Sequence, residues 1–312
     1  MTEDFNLYPL HVFRLVARSG SATRAAREMR ISQPAVSAHL RGLEQRFGAP
    51  LFERTPQGML LTETGEIVLE HANRLFALYQ DLPGLADAAR GQVRGEVVVA
   101  ASSTPGAYCV PDLLRRFREK HPEARATILV GDSAEVLTWL REYRAPLGVM
   151  GEMAMEEGLH RVEIGADELR LVAAAGDPLH RSRGIDSRRL RGCTLFMRET
   201  GSSTRAGAEA LLGPLLPAFE RIVEMNSAEA IKQSVISGLG VAVLSSWATR
   251  LEEQAGLLRP VQDRRLRQRR RFYAVRRQDR TLTGSAAALW EILASRPSGR
   301  REACVPRGRA KR

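Results

Sequence analysis

Polar side chains with hydrogen-bonding capacity crowd one predicted helix. Ser32 and Gln33 open it, and Ser37, His39 and Arg41 occupy later positions that the apolar pattern leaves near the exposed face. Glutamine can bond an adenine edge through two hydrogen bonds, and serine is a short donor to a base or a phosphate. These residue types at this spacing are typical of a surface that enters a groove of DNA. A patch of ordinary helical core is the alternative.

Three predicted helices must position those side chains. Apolar periodicity indicates two short helices and then a third from about Gln33 to Phe47, with Gly48 as its stop. Ser32 is a good N-cap for this third helix, and Pro34 falls within its first turn, where a missing N–H costs little. Helix, tight turn and helix form the geometry that lays a recognition helix in the major groove.

A predicted wing follows the third helix. The stretch "PLFERTPQGMLLTETG" indicates a strand, a Pro-Gly turn and a second strand, and it carries Arg54.

The charge around these elements is positive. Residues 14–54 contain eight Arg against three Glu, a local charge of +5 that favours a polyanionic partner. The whole chain carries +11, but residues 259–312 alone carry +13. Most of the net charge therefore lies outside the predicted DNA-binding region and does not identify a specific DNA-binding domain. For the arginines of "RRLRQRRRFYAVRR" we expect a solvated basic surface, with contact to DNA or an acidic partner as the alternative.

A second group of polar residues lies at predicted strand ends in the C-terminal two-thirds. Strands alternate there with helices, which predicts a mostly parallel sheet covered by helices on both faces. In such sheets ligands bind at the carboxyl ends of strands, against helix N-termini. Capping the next helix is the alternative for each residue taken singly, whereas several converging ends would form a pocket suited to a small anion. The residues are Ser102, Ser103 and Thr104; Asp132 and Ser133; Thr200, Ser202, Ser203 and Thr204; and Asn226 and Ser227.

A long helix is predicted from Thr64 onwards. Its apolar positions repeat at alternating three- and four-residue steps, the seam of a two-helix coiled coil, although packing on the chain's own core is the alternative. The proposed dimerisation residues are Val68, Leu75, Leu78 and Leu82. Pro83 lies inside this repeat, so we expect the helix to kink or end near Leu82.

The sequence offers no pattern typical of an enzyme. Its six His are scattered, and no HExxH, GxSxG or P-loop spacing occurs, so we expect no catalytic residue, metal site or cofactor. The three Cys lie far apart, and neither an export signal nor an apolar run long enough for a membrane span is present. We therefore expect a cytoplasmic protein without a membrane partner.

Two stretches resemble one known family. Residues 5–65 resemble the N-terminal domain of LysR-type transcriptional regulators through "GSATRAAREMRISQPAVSAHLRGLEQRFGAPLFERT" and "LLTETG". Residues 95–293 resemble the two-lobed effector domain of that family, itself similar to periplasmic binding proteins. Within them "ASSTPGAYCVPDLLRRFREKHP", "RETGSSTR" and "EMNSAEAIKQSVISGLGVAVLS" are most similar to the branch that controls carbon-fixation and sulfur-assimilation genes.

The resemblance implies a regulator that binds double-stranded promoter DNA as a homodimer or homotetramer and responds to a small, anionic effector, with RNA polymerase as a possible partner. Pro146 stands where the family usually has Asp, and Ser203 where this branch often has Gly, so the effector's identity stays open. The implied DNA-binding residues are Ser21, Thr23, Ser32, Gln33, Pro34, Ser37, His39, Arg41 and Arg54. The implied effector-binding residues are Ser102, Ser103, Thr104, Thr200, Ser202 and Ser203, with Asn226 and Ser227 less securely.

The expected fold class is α/β: a winged helix-turn-helix, a long linker helix, and a two-lobed periplasmic-binding-protein-like domain of doubly wound sheets. The expected boundaries are 1–63 for the DNA-binding domain, 64–94 for the linker and hinge, 95–293 for the effector domain (lobe I 95–164 plus 267–293, lobe II 165–266) and 294–312 for a disordered basic tail. Two alternatives remain. A solute-binding protein would share the lobes but needs no DNA-binding head, and a nonspecific architectural DNA-binding protein would rely on the Arg-rich tail.

Overall fold

The computed structural model describes residues 6–56, 58–154, 156–181 and 184–295. The chain divides into two compact units whose boundary falls between Leu82 and Pro83, with Arg141–Tyr143 grouped with the first unit. Within the described ranges no helix is both long and apolar enough to cross a membrane. The predicted tail, 294–312, lies outside the described residues from position 296 onwards.

The first unit is a helical bundle with a two-stranded hairpin. Its core buries apolar residues of the helices, such as Phe13 and Val36, together with Leu51 before the hairpin. The hairpin strands are antiparallel, and Arg54 pairs with Met59. The elements are α1 (Leu7–Ser19), α2 (Ala22–Met29), α3 (Gln33–Phe47), β1 (Phe52–Thr55), β2 (Gly58–Leu61) and α4 (Glu63–Ala88).

Local signals at the helix ends match the predictions from sequence. Ser32 caps α3, because its Oγ accepts the Ala35 N–H at 3.3 Å, and Pro34 lies in the first turn. Gly20 and Gly48 end α1 and α3 in the left-handed conformation that favours glycine. The predicted helix-turn-helix and wing are thus formed.

Of the two outcomes expected at Pro83, a kink or an end of the helix, the end is wrong, because α4 continues to Ala88. Proline removes one hydrogen bond, to the carbonyl of Tyr79. Both Tyr79 and Pro83 are exposed, so water can bond that carbonyl, and the helix resumes with the Ala89 N–H on the Leu85 carbonyl at 3.0 Å. The missing bond is therefore tolerated on the solvent side, although the boundary between the two units does fall at this proline.

The second unit alternates strands and helices. In chain order its elements are β3 (Gly95–Ser102), α5 (Ser103–Tyr108), α6 (Val110–Lys120), β4 (Ala124–Gly131), α7 (Ser133–Arg141), β5 (Leu147–Gly151), β6 (Leu159–Ala174), α8 (Ser187–Leu190), β7 (Thr194–Arg198), α9 (Ser203–Leu212), β8 (Arg221–Met225), α10 (Ala228–Ile236), β9 (Val241–Ser245), α11 (Arg250–Gln254), β10 (Leu258–Pro260), β11 (Arg267–Arg277) and α12 (Gly284–Ala294). Short 3₁₀ turns occupy Pro178–Arg181, Gly213–Ala218 and Arg264–Leu266.

These strands form two parallel halves joined by two long crossing strands. The order is β4-β3-β5-β11-β6-β9-β7-β8, and β10 pairs with β6. Strands β4, β3 and β5 are parallel, as are β9, β7 and β8, whereas β6 and β11 pair antiparallel with their neighbours. The sheet is therefore less parallel than expected, because the first half of β6 was not foreseen as a strand and β11 returns beside it.

Helices cover both faces of each half, as the fold class requires. In one half, α6 and α12 bury residues such as Phe117 on one face, while α7 buries Val136 on the other. In the second half, α9 buries Leu212 and α10 buries Ile231 on opposite sides. The strand ends that carry the candidate residues are held between these layers.

Candidate functional site

The exposed front of α3 presents a row of polar side chains. Gln33 and Arg41 are exposed, and Ser37 is partly exposed between them. The Gln33 Nε2 donates to the Ser37 Oγ at 3.2 Å. Residues four apart lie on one face of a helix, so the three side chains form one continuous stripe. This stripe can present an amide, a hydroxyl and a guanidinium to the same groove.

His39 lies on a different side of α3. It is two residues from Ser37, which is about 200° around the helix axis. Its ring is partly buried and packs edge-on against Tyr8 of α1, with 5.1 Å between ring centroids. The structure therefore does not bring His39 into the Gln33 stripe.

The remaining predicted contacts flank that stripe. Ser21 caps α2 by accepting the Arg24 N–H at 3.4 Å, and Thr23 in its first turn is exposed. Arg54 is exposed on the hairpin. The hairpin is held against the turn between α1 and α2, because the Met59 N–H donates to the Gly20 carbonyl at 3.0 Å. A Cβ on Gly58 would approach that carbonyl oxygen to 2.6 Å, so glycine is required for this contact.

Helix α4 exposes an apolar stripe. Leu75, Leu78 and Leu82 are 37%, 55% and 55% exposed, whereas Val68 packs against the core of its own unit. Three of the four predicted dimerisation residues are therefore available to a partner, and the fourth follows the alternative of packing on the chain's own core. Ile67, Tyr79 and Leu85 are also large, apolar and exposed on this helix.

In the second unit, a cleft of about 930 Å³ lies where strand ends and helix starts converge. Ser103, Asn226 and Ser227 line it, as expected from the sequence. The other lining residues are Val130, Gly131, Asp132, Glu135, Arg198, Glu199, Glu224, Met225 and Ala230. The lining comes from both halves of the sheet, so the cleft lies between the lobes.

The other predicted effector residues do not line this cleft, and several make internal contacts. The buried Ser102 Oγ accepts the Gly151 N–H at 3.3 Å, and Ser202 caps α9. Ser203 is buried against Gly151, where an added Cβ would collide with its Oγ. Thr104 is buried and Thr200 exposed, outside the lining. Capping and packing thus account for Ser102, Ser202 and Ser203.

Charged side chains dominate the cleft, and apart from Asp132, which is one of the predicted strand-end residues, the sequence reasoning missed them. Arg198 is the one basic residue among the described residues that line it, against four carboxylates. Its Nη2 donates to the Ser103 Oγ at 2.9 Å and its Nε to Glu199 at 2.7 Å. The position of Arg198, as the last residue of a buried strand before "ETGSST", was the available signal.

A buried network lies outside the lining of the cleft. Arg270 donates to Asp167 through Nε and Nη2 at 3.1 and 2.7 Å, and to the Thr204 Oγ1 through Nη1 at 2.8 Å. Asp167 also accepts from Ser245 Oγ. The sequence reading favoured a solvated basic surface for the arginines of β11, and for Arg270 that reading was wrong. Strand alternation directs Arg270 inward, whereas Arg269 and Arg271 are exposed.

Family comparisons match both regions of the chain. The model described as "Bacterial regulatory helix-turn-helix protein, lysR family" matches residues 7–66, and "LysR substrate binding domain" matches residues 90–298. The RuBisCO operon transcriptional regulator of Allochromatium vinosum is 31% identical over 93% of this chain and 96% of its own length. That relative agrees with the predicted carbon-fixation branch.

Solved structures share the fold. Full-length CbnR complexed with its target DNA is 22% identical, covering 93% of this chain and 99% of that chain, with a TM-score of 0.62. The regulatory domain of Synechocystis CcmR in complex with 2-PG is 24% identical, covering 66% of this chain and 99% of that chain, with a TM-score of 0.59. The chain belongs to the LysR family of bacterial DNA-binding transcriptional regulators.

Proposed function

We propose that this regulator reads its operator through the front of α3. The observation that carries the proposal is the stripe of Gln33, Ser37 and Arg41, whose side chains are available on one helix face. Glutamine can bond adenine bidentately, and arginine can bond guanine or phosphate. Ser21, Thr23, Ser32, Pro34 and Arg54 flank this stripe and position the phosphate backbone. CbnR, of the same fold, is described with its target DNA.

The DNA-bound form is a homodimer, or a homotetramer built from two dimers. The exposed stripe of Leu75, Leu78 and Leu82 on α4 supports a two-helix seam between copies. A two-fold dimer requires an inverted repeat whose half-sites follow the protein's symmetry. We propose the same domain boundaries for each copy: residues 1–63 form the DNA-binding domain, residues 64–94 the linker, and residues 95–293 the two-lobed effector domain.

The interlobe cleft binds a small anionic effector. The positive charge of Arg198 supports an anionic effector, and Ser103, Asn226 and Ser227 supply hydroxyl and amide groups in the same cleft. The CcmR regulatory domain is described with 2-PG bound. An effector that prefers one lobe arrangement shifts the population toward that arrangement, and so changes DNA bending and contact with RNA polymerase. The protein acts in the cytoplasm.

The test is binding of the full-length protein to the intergenic DNA beside its own gene, with scrambled DNA of equal length as control and a salt titration of both. A specific regulator should prefer the native DNA by about 10³-fold or more. Equal affinities with a steep salt dependence would instead favour the nonspecific architectural alternative, with the basic C-terminal region as the binding element. Repeating the titration after truncation at Ser295 identifies that element directly.

A further inference from the structure

The guanidinium of Arg198 is buried and already holds a carboxylate. Its side chain is only 3% exposed. Nε and Nη2 both donate to Glu199, the next residue in the chain, with 2.7 Å between Nε and Oε2. This is the fork geometry with which arginine binds a carboxylate or a phosphate. Glu199 therefore occupies the position on Arg198 that an anion bound in the cleft would take.

The two partners differ in how firmly they are held. Arg198 ends the buried strand β7, its Nη2 bonds Ser103 across the cleft, and its carbonyl accepts from Arg205 at 3.0 Å. Glu199 lies in the loop before α9, where its side chain is 19% exposed at the cleft wall. Turning Glu199 into solvent breaks only its bonds to Arg198, which an incoming anion can replace, whereas moving Arg198 also breaks the bond to Ser103.

The other cleft carboxylates have partners of their own. Glu224 pairs with Arg205 at 3.1 Å. Asp132 and Glu135 each accept the other's backbone N–H at 2.8 Å. An added anion finds no second guanidinium among the described lining residues, so it can be compensated only at Arg198.

We infer that Glu199 is an internal competitor for the effector. The carboxylate or phosphate of the ligand displaces Glu199 from the Arg198 guanidinium, and the Glu199 side chain rotates into solvent. The inference rests on the proposed effector-binding function of the cleft. Because one negative charge replaces another beside the buried guanidinium, the exchange avoids placing two anions on one cation. It also makes anion affinity depend on a residue that the ligand does not touch after binding.

The experiment measures inorganic phosphate and acetate binding to the full-length protein by calorimetry and by thermal stabilisation. Glu199→Gln removes the competitor and should tighten phosphate binding by about tenfold or more, while Arg198→Lys should weaken it by a similar factor because the fork is lost. Glu224→Gln is the matched control, since it removes one negative charge from the same cleft without freeing Arg198. It should change phosphate affinity by about threefold at most.

Either of two outcomes in the charge variants would overturn the inference. Equal tightening in Glu199→Gln and Glu224→Gln would indicate a general field effect, and unchanged affinity in Glu199→Gln would indicate that Glu199 does not compete with the anion for Arg198. If Glu199→Gln does not fold, Glu199→Asp replaces it in the test. The shorter side chain keeps the charge but reaches Arg198 less well, so phosphate should bind more tightly than to the wild-type protein and less tightly than expected for Glu199→Gln. Specific DNA binding is measured on the same samples: if it persists while no anion binds, the inference fails and the proposed DNA-binding function stands.

Discussion

Arg270 lies directly opposite Asp167 where β11 pairs with β6, and the two side chains form an ion pair of 2.7 Å with exposures of 4% and 0%. Thr204, at the start of α9, accepts a further bond from the guanidinium, and Ser245, at the end of β9, donates to the carboxylate. The pair thus ties both crossing strands to two elements of one lobe. A fully bonded, dry ion pair is tolerated because each partner compensates the other.

Asp167→Asn should lower the free energy of unfolding by about 3–5 kcal/mol, because it leaves the Arg270 charge buried without a counter-ion. Urea unfolding measures the change. The control is Glu123→Gln, which removes the same kind of bidentate carboxylate from an exposed pair with Arg94 and should leave the free energy of unfolding almost unchanged, because water screens that pair. Equal losses in both variants would show that burial of the Arg270 pair has no energetic consequence.

Gly151 and Ser203 meet where the two lobes touch. A Cβ on residue 151 would collide with the Oγ of Ser203 and come within 2.9 Å of its Cβ. Gly151→Ala should therefore destabilise the effector domain by about 1–3 kcal/mol, as overpacking does. Thermal unfolding should show recovery when Ser203→Gly is added, since that change removes both colliding atoms. A double variant no more stable than the single one would mean that the strain lies elsewhere.

Sequence reasoning succeeded where the signals are local. Ser32, Pro34 and Gly48 define the start and end of α3 by capping chemistry that operates within one turn. It failed at the cleft, because Arg198 acquires its role from Ser103, a residue 95 positions earlier that only the tertiary fold brings near. Strand-end hydroxyls were chosen by type, and Ser202 caps a helix as the alternative reading allowed.

The first half of β6 could not be predicted from the sequence either. The start of β6, "LHRVEIGADE", lacks the continuous apolar run of a buried parallel strand, yet it pairs along β11. Its partner lies about a hundred residues away, so the pairing that makes this segment a strand leaves no local signal in it. Arg270 was placed in solvent for the same reason, since its buried partner Asp167 belongs to that unrecognised strand.

Gln33→Ala should weaken binding to the native operator by about 1–3 kcal/mol and leave scrambled DNA little affected, because a lost base contact removes discrimination rather than charge. Fluorescence anisotropy on both DNAs gives the ratio. Gln45→Ala is the control, an exposed glutamine on the same helix about 120° away from Gln33. Losses of equal size on both DNAs would assign Gln33 to the phosphate backbone instead of a base.

Leu78→Glu should shift the protein from dimer to monomer by introducing a charge at the centre of the exposed stripe on α4, where Leu78 is 55% exposed. We expect the free energy of dimerisation to become less favourable by about 2 kcal/mol or more, because a charge at a coiled-coil seam must be desolvated. Sedimentation equilibrium measures it. Leu251→Glu, at a leucine that is 68% exposed on α11, controls for the change in charge and hydropathy. A dimer that survives Leu78→Glu unaltered would assign dimerisation to another surface.

Asp263 should make stability depend on acid pH. A side-chain hydrogen bond from Arg265 is the largest influence that lowers the pKa of the Asp263 carboxyl, burial opposes it, and the backbone N–H of Ile185, at 3.0 Å, lowers the pKa further. A carboxyl whose pKa is lower in the folded chain stabilises the protein above its unfolded pKa of about 4, and that contribution is lost as the pH falls below it. Asp263→Asn should therefore cost about 1–3 kcal/mol near pH 7.

The difference in stability between this variant and the wild-type protein should narrow as the pH falls below about 4. It should close only when the pH passes the lower pKa of the folded Asp263 carboxyl, where the wild-type carboxyl is protonated too. Urea midpoints of both proteins, measured from neutral to acid pH, give the gap at each pH. Glu157→Gln, at an exposed carboxylate, serves as the control and should leave the gap small throughout. A gap for Asp263→Asn that stays constant over the whole range would show that the stabilisation by Asp263 does not depend on its charge.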